Sequence, residues 1–427
     1  MHITDIYQIY RKNPAICTDS RKCLPGALFF ALKGDAFDGN LFAEKALQAG
    51  CSYAVVDNPA VVVDNRYLLI DNVLQTLQQL AAYHRQLLQT PVIGITGSNG
   101  KTTTKELLAA VLSTKYNLLH TSGNLNNHIG VPLTLLRLTP DHEMAIIEMG
   151  ANHAGEIREL SQIAQPDYGI ITNVGLAHLE GFGSLEGVVR AKGELYDYLR
   201  QTDGKVFIHN ENMYLQSIAE ELQQITYGES KDAFVSGRVV SSSPVLCFEW
   251  ENAGLCHAVS TNLAGDYNLM NMLAAITAGV YFDVPTLDIN RAISEYMPTN
   301  NRSQWKKTLH NNLLIDAYNA NPSSMQAALE NFASLPARPK AVILGDMLEL
   351  GAESFQLHAS LLEQFAQYDF DKVFLCGAQF SALGSIYPCF SDVEALSRYL
   401  SAHPLRGYHI LLKGSRGIHI ENTIDLL

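Results

Sequence analysis

A glycine-rich segment at residues 94–103 carries the clearest chemical signal in the sequence. It reads Gly-Ile-Thr-Gly-Ser-Asn-Gly-Lys-Thr-Thr and lies between an apolar run and a helical pattern. Backbone N–H groups at the start of a helix suit a polyphosphate, a lysine adds a point charge, and a threonine hydroxyl suits Mg²⁺. The residues that we predict to bind phosphate are Gly97, Ser98, Asn99, Gly100, Lys101, Thr102 and Thr103.

The spacing of this segment departs from the common phosphate-binding loop. That motif, G-x-x-x-x-G-K-S/T, requires glycine at position 95, where the chain has Ile95. The alternative is an ordinary glycine-rich turn between a strand and a helix. Because Lys101 and Thr102 stand where a bound phosphate needs them, we favour the phosphate site.

Two side chains that could bind a metal follow the next predicted strands. Glu148 comes directly after the apolar run 144–147, and His178 follows the run 168–172. Parallel strands end at one edge of a sheet, so both side chains should emerge near the glycine-rich segment, where a carboxylate can hold Mg²⁺. The alternatives are a solvated surface carboxylate and a structural histidine.

Lys192 is unusual because it lies on an apolar helix face. The predicted helix 184–199 has a stripe that includes Leu185, Val188 and Leu195, and Lys192 falls on that stripe. Burial lowers the pKa of a lysine, and a neutral amine can add CO₂ to become a carbamate, an anion that can hold a metal. The alternative is that the side chain snorkels to solvent.

Two further loops are rich in amide and hydroxyl groups. Residues 121–132 read TSGNLNNHIGVP, and residues 316–325 read DAYNANPSSM. The first loop suits a sugar or a phosphate, and the second places a carboxylate and amides between a strand and a helix. Taken alone, either loop could be an ordinary turn.

The predicted elements that position these residues divide the chain into three parts. Residues 1–88 mix short strands with helices, and Pro91 disfavours continuation of the last helix. Residues 89–298 alternate strands and helices, which favours a parallel sheet, although residues 205–262 have the two-residue period of antiparallel hairpins. Residues 299–427 begin the alternation again. We therefore expect an α/β fold with three domains.

Composition and charge exclude several classes of protein. The 427 residues include 47% hydrophobic and 17% charged residues, which excludes general disorder, and the net charge of −13 disfavours binding to nucleic acid. Apolar runs fall short of the ~18 residues of a membrane span, and Asp5 and Arg11 interrupt a signal-peptide core. We expect a cytoplasmic protein with no membrane partner, whose cysteines, which form no CxxC pair, are reduced.

Taken in order, the motifs resemble those of the ATP-dependent Mur ligases of bacterial cell-wall synthesis. The similarity spans almost the whole chain. The segments that carry it are TDSRKCLPGALFFALKGDAFDG, GITGSNGKTTTKE, TSGNLNNHIGVPLTLL, EMGANHAGEI, ITNVGLAHLEGFGS, AKGELY, IDAYNANPSSM, LGDMLELG and LLKGSRG. A short Thr-Gly-x-x-Gly-Lys-Thr loop is this family's own phosphate loop, which accounts for the unusual spacing.

The resemblance implies a fold and an activity. It implies a UDP-binding domain at 1–88, a central ATP-binding domain with an antiparallel extension at 89–298, and a Rossmann-like ligase domain at 299–427. The implied reaction joins D-alanyl-D-alanine to UDP-N-acetylmuramoyl-tripeptide through an acyl phosphate and uses ATP and Mg²⁺. Its product is a peptidoglycan precursor, on which cell shape and division depend. We expect a monomer whose partners are these small molecules.

The resemblance also implies metal and phosphate contacts. Lys101 would bind the ATP phosphates, while Thr102 and Glu148 would hold one Mg²⁺. His178 and carbamylated Lys192 would position a second Mg²⁺.

The remaining implied contacts fall into four groups along the three domains. They are Asn271, Arg302 and Asp316 for the nucleotide; Ser20, Arg21 and Lys33 for UDP; Asn126 and Asn127 for the muramoyl peptide; and Asn319, Asn321, Ser415 and Arg416 for the dipeptide. The chain departs from the family's pattern at Tyr267, where histidine is usual, and at Pro298–Arg302, where Pro-Thr-Asn-Asn-Arg replaces the usual Pro-Gly-Arg.

Three alternatives remain open on sequence alone. Sister ligases of the family add a single amino acid, and folylpolyglutamate-type ligases share the phosphate loop, so both differ in the amine acceptor. A nucleotide-switched binding protein would hydrolyse ATP without making a bond, but Lys192 on an apolar stripe speaks against that class. The identity of the third tripeptide residue, lysine or diaminopimelate, and the group that takes the proton from the amine also stay open.

Overall fold

Three main β-sheets follow one another along the chain, each packed with helices. The structure is a computed structural model, and it describes residues 1–427 apart from the side chain at position 366. The three sheets use successive parts of the chain, and the α/β fold class is confirmed. In the described part of the chain, no helix combines the length and the apolar character needed to cross a membrane.

The first sheet is small and parallel. The elements of this part are α1 (Ile3–Lys12), β1 (Ile16–Cys17), β2 (Leu28–Phe30), β3 (Lys33–Gly34), β4 (Phe37–Asp38), α2 (Ala43–Gln48), β5 (Tyr53–Val56), β6 (Tyr67–Leu69) and α3 (Val73–Leu88). The strand order is β1-β2-β5-β6, and β3 and β4 form a separate antiparallel pair.

The second sheet is the largest and carries the glycine-rich segment. Its elements are β7 (Val92–Thr96), α4 (Lys101–Leu112), β8 (Leu118–His120), α5 (Gly130–Leu135), β9 (Met144–Glu148), α6 (Glu156–Ala164), β10 (Tyr168–Ile171), α7 (Leu179–Phe182), α8 (Leu185–Gln201), β11 (Lys205–His209), α9 (Met213–Ile218), β12 (Gln223–Gly228), β13 (Val235–Ser241), β14 (Cys247–Asn252), β15 (Leu255–Ser260), α10 (Leu269–Tyr281) and α11 (Thr286–Glu295). The strand order is β15-β14-β13-β12-β11-β10-β7-β9-β8.

The third sheet is parallel except at one edge, where β16 is antiparallel to β17. Its elements are β16 (Gln304–Lys307), β17 (Asn312–Asp316), α12 (Pro322–Ser334), β18 (Lys340–Gly345), α13 (Ser354–Gln364), β19 (Lys372–Cys376), α14 (Ala378–Ala382), β20 (Cys389–Phe390), α15 (Val393–Ala402) and β21 (His409–Lys413). The strand order is β16-β17-β21-β18-β19-β20.

The prediction of antiparallel hairpins across residues 205–262 is wrong for the first half of that stretch. β11 pairs in parallel with both β10 and β12, and β12 pairs in parallel with β13. Val206, Phe207 and Ile208 are all fully buried, as expected for a parallel strand that is covered on both faces. Within residues 205–262, only β13, β14 and β15 form antiparallel pairs, and the two-residue period belongs to β14.

Neighbouring strands bring the chemical residues to common edges of the sheets, as predicted. β7 lies between β9 and β10, so the glycine-rich segment stands beside Glu148, which ends β9, and the stretch after β10 that leads to His178. In the third sheet, β21 lies between β17 and β18. Lys413 ends β21, Asp316 ends β17, and Asp346 follows β18. The carboxyl ends of both sheets therefore carry polar groups.

The first part of the chain packs on the second through α3. Arg85 in α3 forms a 2.8 Å ion pair with Asp167, and its guanidinium also donates to the carbonyl oxygen of Gln165. The Tyr10 hydroxyl donates to the carbonyl oxygen of Leu136 at 2.6 Å. Apolar side chains of both parts form one continuous buried cluster on this face of the large sheet.

His358 in α13 supports the loop that follows β18 and carries Glu349. The side chain is fully buried, Nε2 accepts the backbone N–H of Met347 at 3.0 Å, and Nδ1 lies 2.7 Å from the carbonyl oxygen of Ser354. This pattern requires a neutral ring with its hydrogen on Nδ1. Burial lowers the pKa of His358, although Asp346 at 3.8 Å acts in the opposite direction.

We therefore expect His358 to make the third domain less stable as the pH falls below about 6.5, the usual pKa of an unfolded histidine. Below that pH, His358 is protonated in the unfolded chain but stays neutral in the folded chain. The free energy of unfolding therefore falls by at most about 1.4 kcal/mol per pH unit, until the pH reaches the pKa of His358 in the folded protein. Urea midpoints at pH 7 and pH 5 would measure this loss. His358→Gln should show a smaller loss, and an equal loss in both proteins would contradict the assignment.

Candidate active site

The glycine-rich segment forms a tight loop between β7 and α4. Gly97 and Gly100 have φ angles of 141° and 78°, in the region that favours glycine. The backbone N–H of Ser98 donates to the carbonyl oxygen of Asn173 at 3.0 Å. The backbone N–H of Asn99 donates to the side-chain oxygen of Asn173 at 2.9 Å. The Thr172 hydroxyl donates to the carbonyl oxygen of Asn99. The loop after β10 thus fixes the shape of the phosphate loop.

Lys101 begins α4 and folds back over this loop. Its Nζ donates to the carbonyl oxygens of Gly97 at 2.5 Å and Ser98 at 3.3 Å. Burial lowers the pKa of Lys101 to about 8, with a further decrease from Arg302 and an opposing increase from Glu148. A bound phosphate would supply the negative charge that this ammonium group needs.

Glu148 presents a carboxylate to the same loop. The side chain is 1% exposed, and Oε1 accepts hydrogen bonds from the Thr102 hydroxyl at 3.2 Å and from the Asn126 amide at 2.8 Å. Oε2 is buried and accepts no hydrogen bond from the described residues, with Lys105 Nζ 3.7 Å away. A free carboxylate oxygen beside a threonine hydroxyl fits Mg²⁺, which keeps waters and substrate phosphates among its ligands.

The described residues contain no group of three His, Cys, Asp or Glu side chains that could enclose a metal by themselves. An ion at Glu148 would therefore depend on the Thr102 hydroxyl and on oxygens of the substrate. This is the usual arrangement for Mg²⁺ in phosphoryl transfer. The donor set fits the predicted magnesium site.

Lys192 is fully buried in α8, so the snorkelling alternative is excluded. Nζ donates to the carbonyl oxygen of Ala151 at 3.1 Å and lies 4.9 Å from the ring centre of Phe182. Burial holds the pKa of Lys192 well below its ordinary value, and the positive charge of Lys101 lowers it further. This lowering favours the neutral nitrogen that carbamate formation requires. Ala151 lines the cavity described below, and Lys192 stands directly behind it.

His178 reaches across the cleft to the third domain. Its Nδ1 lies 2.6 Å from Oε2 of Glu349, and this contact lowers the pKa of Glu349. His178 also packs edge-on against Phe182, whose ring contacts Lys192. His178 and Lys192, the two predicted ligands of a second Mg²⁺, thus both contact the ring of Phe182.

The predicted nucleotide contacts face the phosphate loop from two domains. Asn271 in α10 accepts a hydrogen bond from the Thr104 hydroxyl at 3.1 Å and lies against Gly100. The guanidinium of Arg302 stacks on Tyr318, with its central carbon 3.8 Å from the ring centre. Asp316 forms a 2.5 Å ion pair with Lys413.

The residues predicted for the dipeptide lie in different environments. Asn321 caps α12 and donates from its side-chain amide to Asn99 Oδ1 at 2.8 Å, across the cleft. Asn319 and Arg416 are exposed and line the cavity. Ser415 is buried behind the surface, where its hydroxyl accepts the backbone N–H of Leu348 and donates to the carbonyl oxygen of Ala320. Ser415 therefore supports the loop that carries Glu349.

A cavity of about 770 Å³ lies between the second and third domains. Of the predicted site residues, those that line it are Ser98, Asn99, Gly100, Lys101, Thr102, Thr103, Asn126, Asn127, Glu148, His178, Asn271, Arg302, Asp316, Asn319, Asn321 and Arg416. Those that lie outside its lining are Gly97, Lys192, Ser415, Ser20, Arg21 and Lys33.

The predicted UDP residues all belong to the first domain. Arg21 forms a 2.8 Å ion pair with Asp19, and Lys33 forms one with Asp57 at the same distance. Ser20 is half-buried beside Arg21. Both cations keep exposed side chains, so they remain accessible to an anionic ligand.

Sequence reasoning missed three residues of this region. Glu349 and Tyr318 lie in quoted motifs but were given no role. Lys105 is fully buried, and its Nζ lies 2.9 Å from Glu106 and 3.7 Å from Glu148. Its spacing was the available signal, because Lys105 lies one helical turn after Lys101.

Gly97→Ala should disrupt the phosphate loop. A Cβ atom at this position would lie 2.0 Å from the Thr172 hydroxyl oxygen, and its φ of 141° already strains any other residue. We expect the Kd of a non-hydrolysable ATP analogue to rise at least about 10-fold, the equivalent of about 1.4 kcal/mol. Gly254→Ala is the matched control, since its φ is also positive but its Cβ would meet no atom within 4 Å. Equal effects of the two changes would contradict the prediction.

Three family models match successive parts of the chain. Residues 14–85 match the family model described as the Mur ligase family catalytic domain, residues 95–279 match the Mur ligase middle domain, and residues 301–416 match the Mur ligase glutamate ligase domain. Together these matches cover most of the chain.

Individual relatives are similar over nearly their whole length. A UDP-N-acetylmuramoyl-tripeptide--D-alanyl-D-alanine ligase from Bacillus subtilis is 37% identical, with 96% of this chain and 93% of the relative covered. The crystal structure of MurF from Acinetobacter baumannii is 31% identical, with a TM-score of 0.86 and coverage of 98% and 97%. The MurF ligase from Thermotoga maritima in complex with ADP is 26% identical, also with a TM-score of 0.86 and coverage of 97% of both chains.

Proposed function

This chain belongs to the Mur ligase family, and we infer that it joins D-alanyl-D-alanine to UDP-N-acetylmuramoyl-tripeptide with ATP. The observation that carries this proposal is the cavity in which the phosphate loop, Glu148 and the loop 316–325 face one another. The names of the relatives identify the substrates, and the cavity is lined by the phosphate-binding and carboxylate groups that such a reaction requires. The product would be a peptidoglycan precursor for cell-wall growth, cell shape and cell division.

The first step activates the terminal carboxylate of the tripeptide. A carboxylate and an amine do not condense readily in water, so the carboxylate oxygen attacks the γ-phosphorus of ATP, the bond to the β-phosphate oxygen breaks, and ADP leaves. Such a transfer depends mainly on positioning and on neutralising charge. Lys101 stands at the phosphate loop for that purpose, and Arg302 adds a second cation from the third domain.

Magnesium would be held by Glu148 and the Thr102 hydroxyl, and when bound it would neutralise charge on the phosphates. Asn126 orients the carboxylate by donating to Oε1, and it leaves Oε2 free. Lys192, as a carbamate, would add a negative group behind Ala151, with His178 beside it. These assignments follow from the family resemblance, and the burial of Lys192 and Glu148 supports them.

The second step forms the amide bond. The ammonium group of the dipeptide, with a pKa near 8, first loses a proton. The neutral nitrogen then attacks the acyl carbon, a carbon–nitrogen bond forms, and phosphate leaves with the electrons of the broken carbon–oxygen bond. The nitrogen gives up its second proton as the amide forms.

Contacts across the cleft suggest that closing the domains protects the acyl phosphate from water. Asn321 donates to Asn99, and His178 contacts Glu349, so the second and third domains touch at the glycine-rich loop and at the stretch after β10. Exclusion of water from a reactive intermediate is a common role of such closure. Binding of anionic substrates to a chain with a net charge of −13 would depend on local cations such as Lys101 and Arg416.

We place the reaction in the cytoplasm, where ATP and UDP-linked precursors are available, and we propose that a monomer carries it out. Residues Ser20, Arg21 and Lys33 would bind the UDP group in the first domain, and Asn126 and Asn127 would line the path of its peptide. Lysine and diaminopimelate remain equal candidates for the third residue of that peptide.

The choice of amine acceptor tests the proposed function. Purified protein would be given ATP, UDP-N-acetylmuramoyl-tripeptide and one acceptor, which is D-alanyl-D-alanine, meso-diaminopimelate, lysine or glutamate. We expect ADP and a ligated product with the dipeptide only. Ligation of a single amino acid alone would favour a sister ligase or a folylpolyglutamate-type ligase. ATP turnover that needs no peptide precursor would favour a nucleotide switch.

A further inference from the structure

A second cavity of about 420 Å³ opens beside the first one. It lies between α4, the loop after β8 and the linker that follows α11. Thr102, Asn124, Tyr318 and Arg416 line both cavities, so the second one communicates with the phosphate site. Its volume falls within the range of about 300–1,000 Å³ that is common for small-molecule sites.

The lining of this second cavity contains one acidic and one basic side chain. Glu106 comes from α4 and Arg416 comes from the third domain. Asn300 in the linker adds a buried side-chain oxygen that accepts no hydrogen bond from the described residues. The cavity thus offers acceptors from Glu106 and Asn300 and a cationic donor from Arg416. This combination fits a zwitterion.

Buried Lys105 supports Glu106 from behind. Its Nζ lies 2.9 Å from Oε1 of Glu106 and 3.7 Å from Oε2 of Glu148, so one ammonium group bridges two carboxylates. A carboxylate has two oxygens and accepts several hydrogen bonds, so Oε2 of Glu106 remains available to a ligand. The side chain of Glu106 is 30% exposed, which leaves it accessible.

The geometry of α4 connects this cavity with the reaction. Thr102 and Glu106 are four residues apart and therefore lie on one face of the helix, one turn from each other. An ammonium group held by Glu106 would stand one helical turn from the predicted magnesium site. Asn271, the predicted nucleotide contact, lines only the first cavity, so the second cavity does not include this contact.

We propose that the second cavity binds the incoming zwitterionic dipeptide, with Glu106 and Asn300 receiving its ammonium group and Arg416 receiving its carboxylate. The two charges of a dipeptide are separated by two residues, which span at most ~7 Å. Arginine matches a carboxylate with two parallel hydrogen bonds. This inference rests on the proposed function, and it adds Glu106, Asn300 and the second cavity to it.

The test at the ammonium end is Glu106→Gln. We expect the KM for D-alanyl-D-alanine to rise about 10-fold to 100-fold, because a hydrogen bond to a charged group is lost, while the KM for ATP changes less than about 2-fold. Glu220→Gln is the matched control, since Glu220 is exposed and lies outside both cavities. Circular dichroism and binding of a non-hydrolysable ATP analogue verify that each variant folds.

The test at the carboxylate end combines Arg416→Met with a changed substrate. D-Alanyl-D-alaninamide lacks the carboxylate, so wild-type protein should use it with a KM at least about 10-fold higher than that for the dipeptide. Arg416→Met should use both substrates with the same high KM. This second variant keeps the proposal testable if Glu106→Gln does not fold.

The outcomes separate the two claims. Wild-type protein that forms no product with D-alanyl-D-alanine overturns the proposed function. If the wild-type protein is active, two results would overturn the second cavity as the dipeptide site. One is an unchanged KM for the dipeptide in Glu106→Gln, and the other is an Arg416→Met protein that still prefers the dipeptide to its amide. Either result would leave the proposed function unaffected.

Discussion

Lys192→Ala should lower kcat about 1,000-fold or more. The variant removes the buried nitrogen to which we assign the carbamate, and the transferring phosphoryl group then loses a metal-positioning negative charge. Loss of one preorganised electrostatic contact commonly costs about 10²–10³ in kcat, and here the bound metal is misplaced as well. The measurement is kcat with saturating ATP, peptide precursor and dipeptide.

Chemical rescue and isotope labelling give readouts beyond that loss. Short carboxylic acids should restore part of the activity of Lys192→Ala, since they can occupy the space of the carbamate. Wild-type protein incubated with carbon-13 bicarbonate should show a carbamate carbon signal that Lys192→Ala lacks. Lys231→Ala is the surface control, because Lys231 is exposed. A fully active Lys192→Ala protein, or the same carbamate signal in wild type and in Lys192→Ala, would show that Lys192 does not carry a carbamate needed for activity.

Lys101→Met should lower kcat by about 1,000-fold, the second large effect that we expect. The methionine side chain nearly keeps the length of lysine but has no charge, so the γ-phosphate loses its point charge during transfer. Because Lys101 also donates to two carbonyl oxygens of its own loop, the change should weaken binding of the ATP analogue. Rapid-quench assays of ADP formation separate the loss in chemistry from the loss in binding.

Lys307→Met serves as the matched control for Lys101→Met. Lys307 is exposed in β16, and its replacement should leave kcat within about 2-fold of wild type, as is usual for surface changes. A small effect of Lys101→Met on ADP formation would show that the ammonium group does not act on the transferred phosphate. The assignment of the glycine-rich segment would then fail.

The grouping of the predicted phosphate and magnesium residues was predictable because they are local in sequence or follow neighbouring strands. Lys101 and Thr102 lie within one short segment, and Glu148 ends the strand beside it. Parallel strands deliver their carboxyl ends to one edge, so a sequence pattern is enough to bring these groups together. The buried position of Lys192 was predictable for a similar reason, since helical periodicity placed it on the apolar face.

The contacts between domains were not predictable from the same signals. His178 and Glu349 are far apart in the sequence, and their 2.6 Å contact depends on how two sheets face each other. Ser415 was expected to contact the dipeptide, whereas the structure buries it as a support for the neighbouring loop. Strand β11 was assigned to hairpins because its neighbours in sequence alternate, whereas its pairing depends on the distant β10.

ATP should activate the tripeptide carboxylate as an acyl phosphate before the dipeptide attacks. The most direct measurement uses peptide precursor whose terminal carboxylate is labelled with oxygen-18, together with ATP and D-alanyl-D-alanine. We predict that the released phosphate contains one labelled oxygen for each amide bond formed. Ligated product accompanied by unlabelled phosphate would contradict the account.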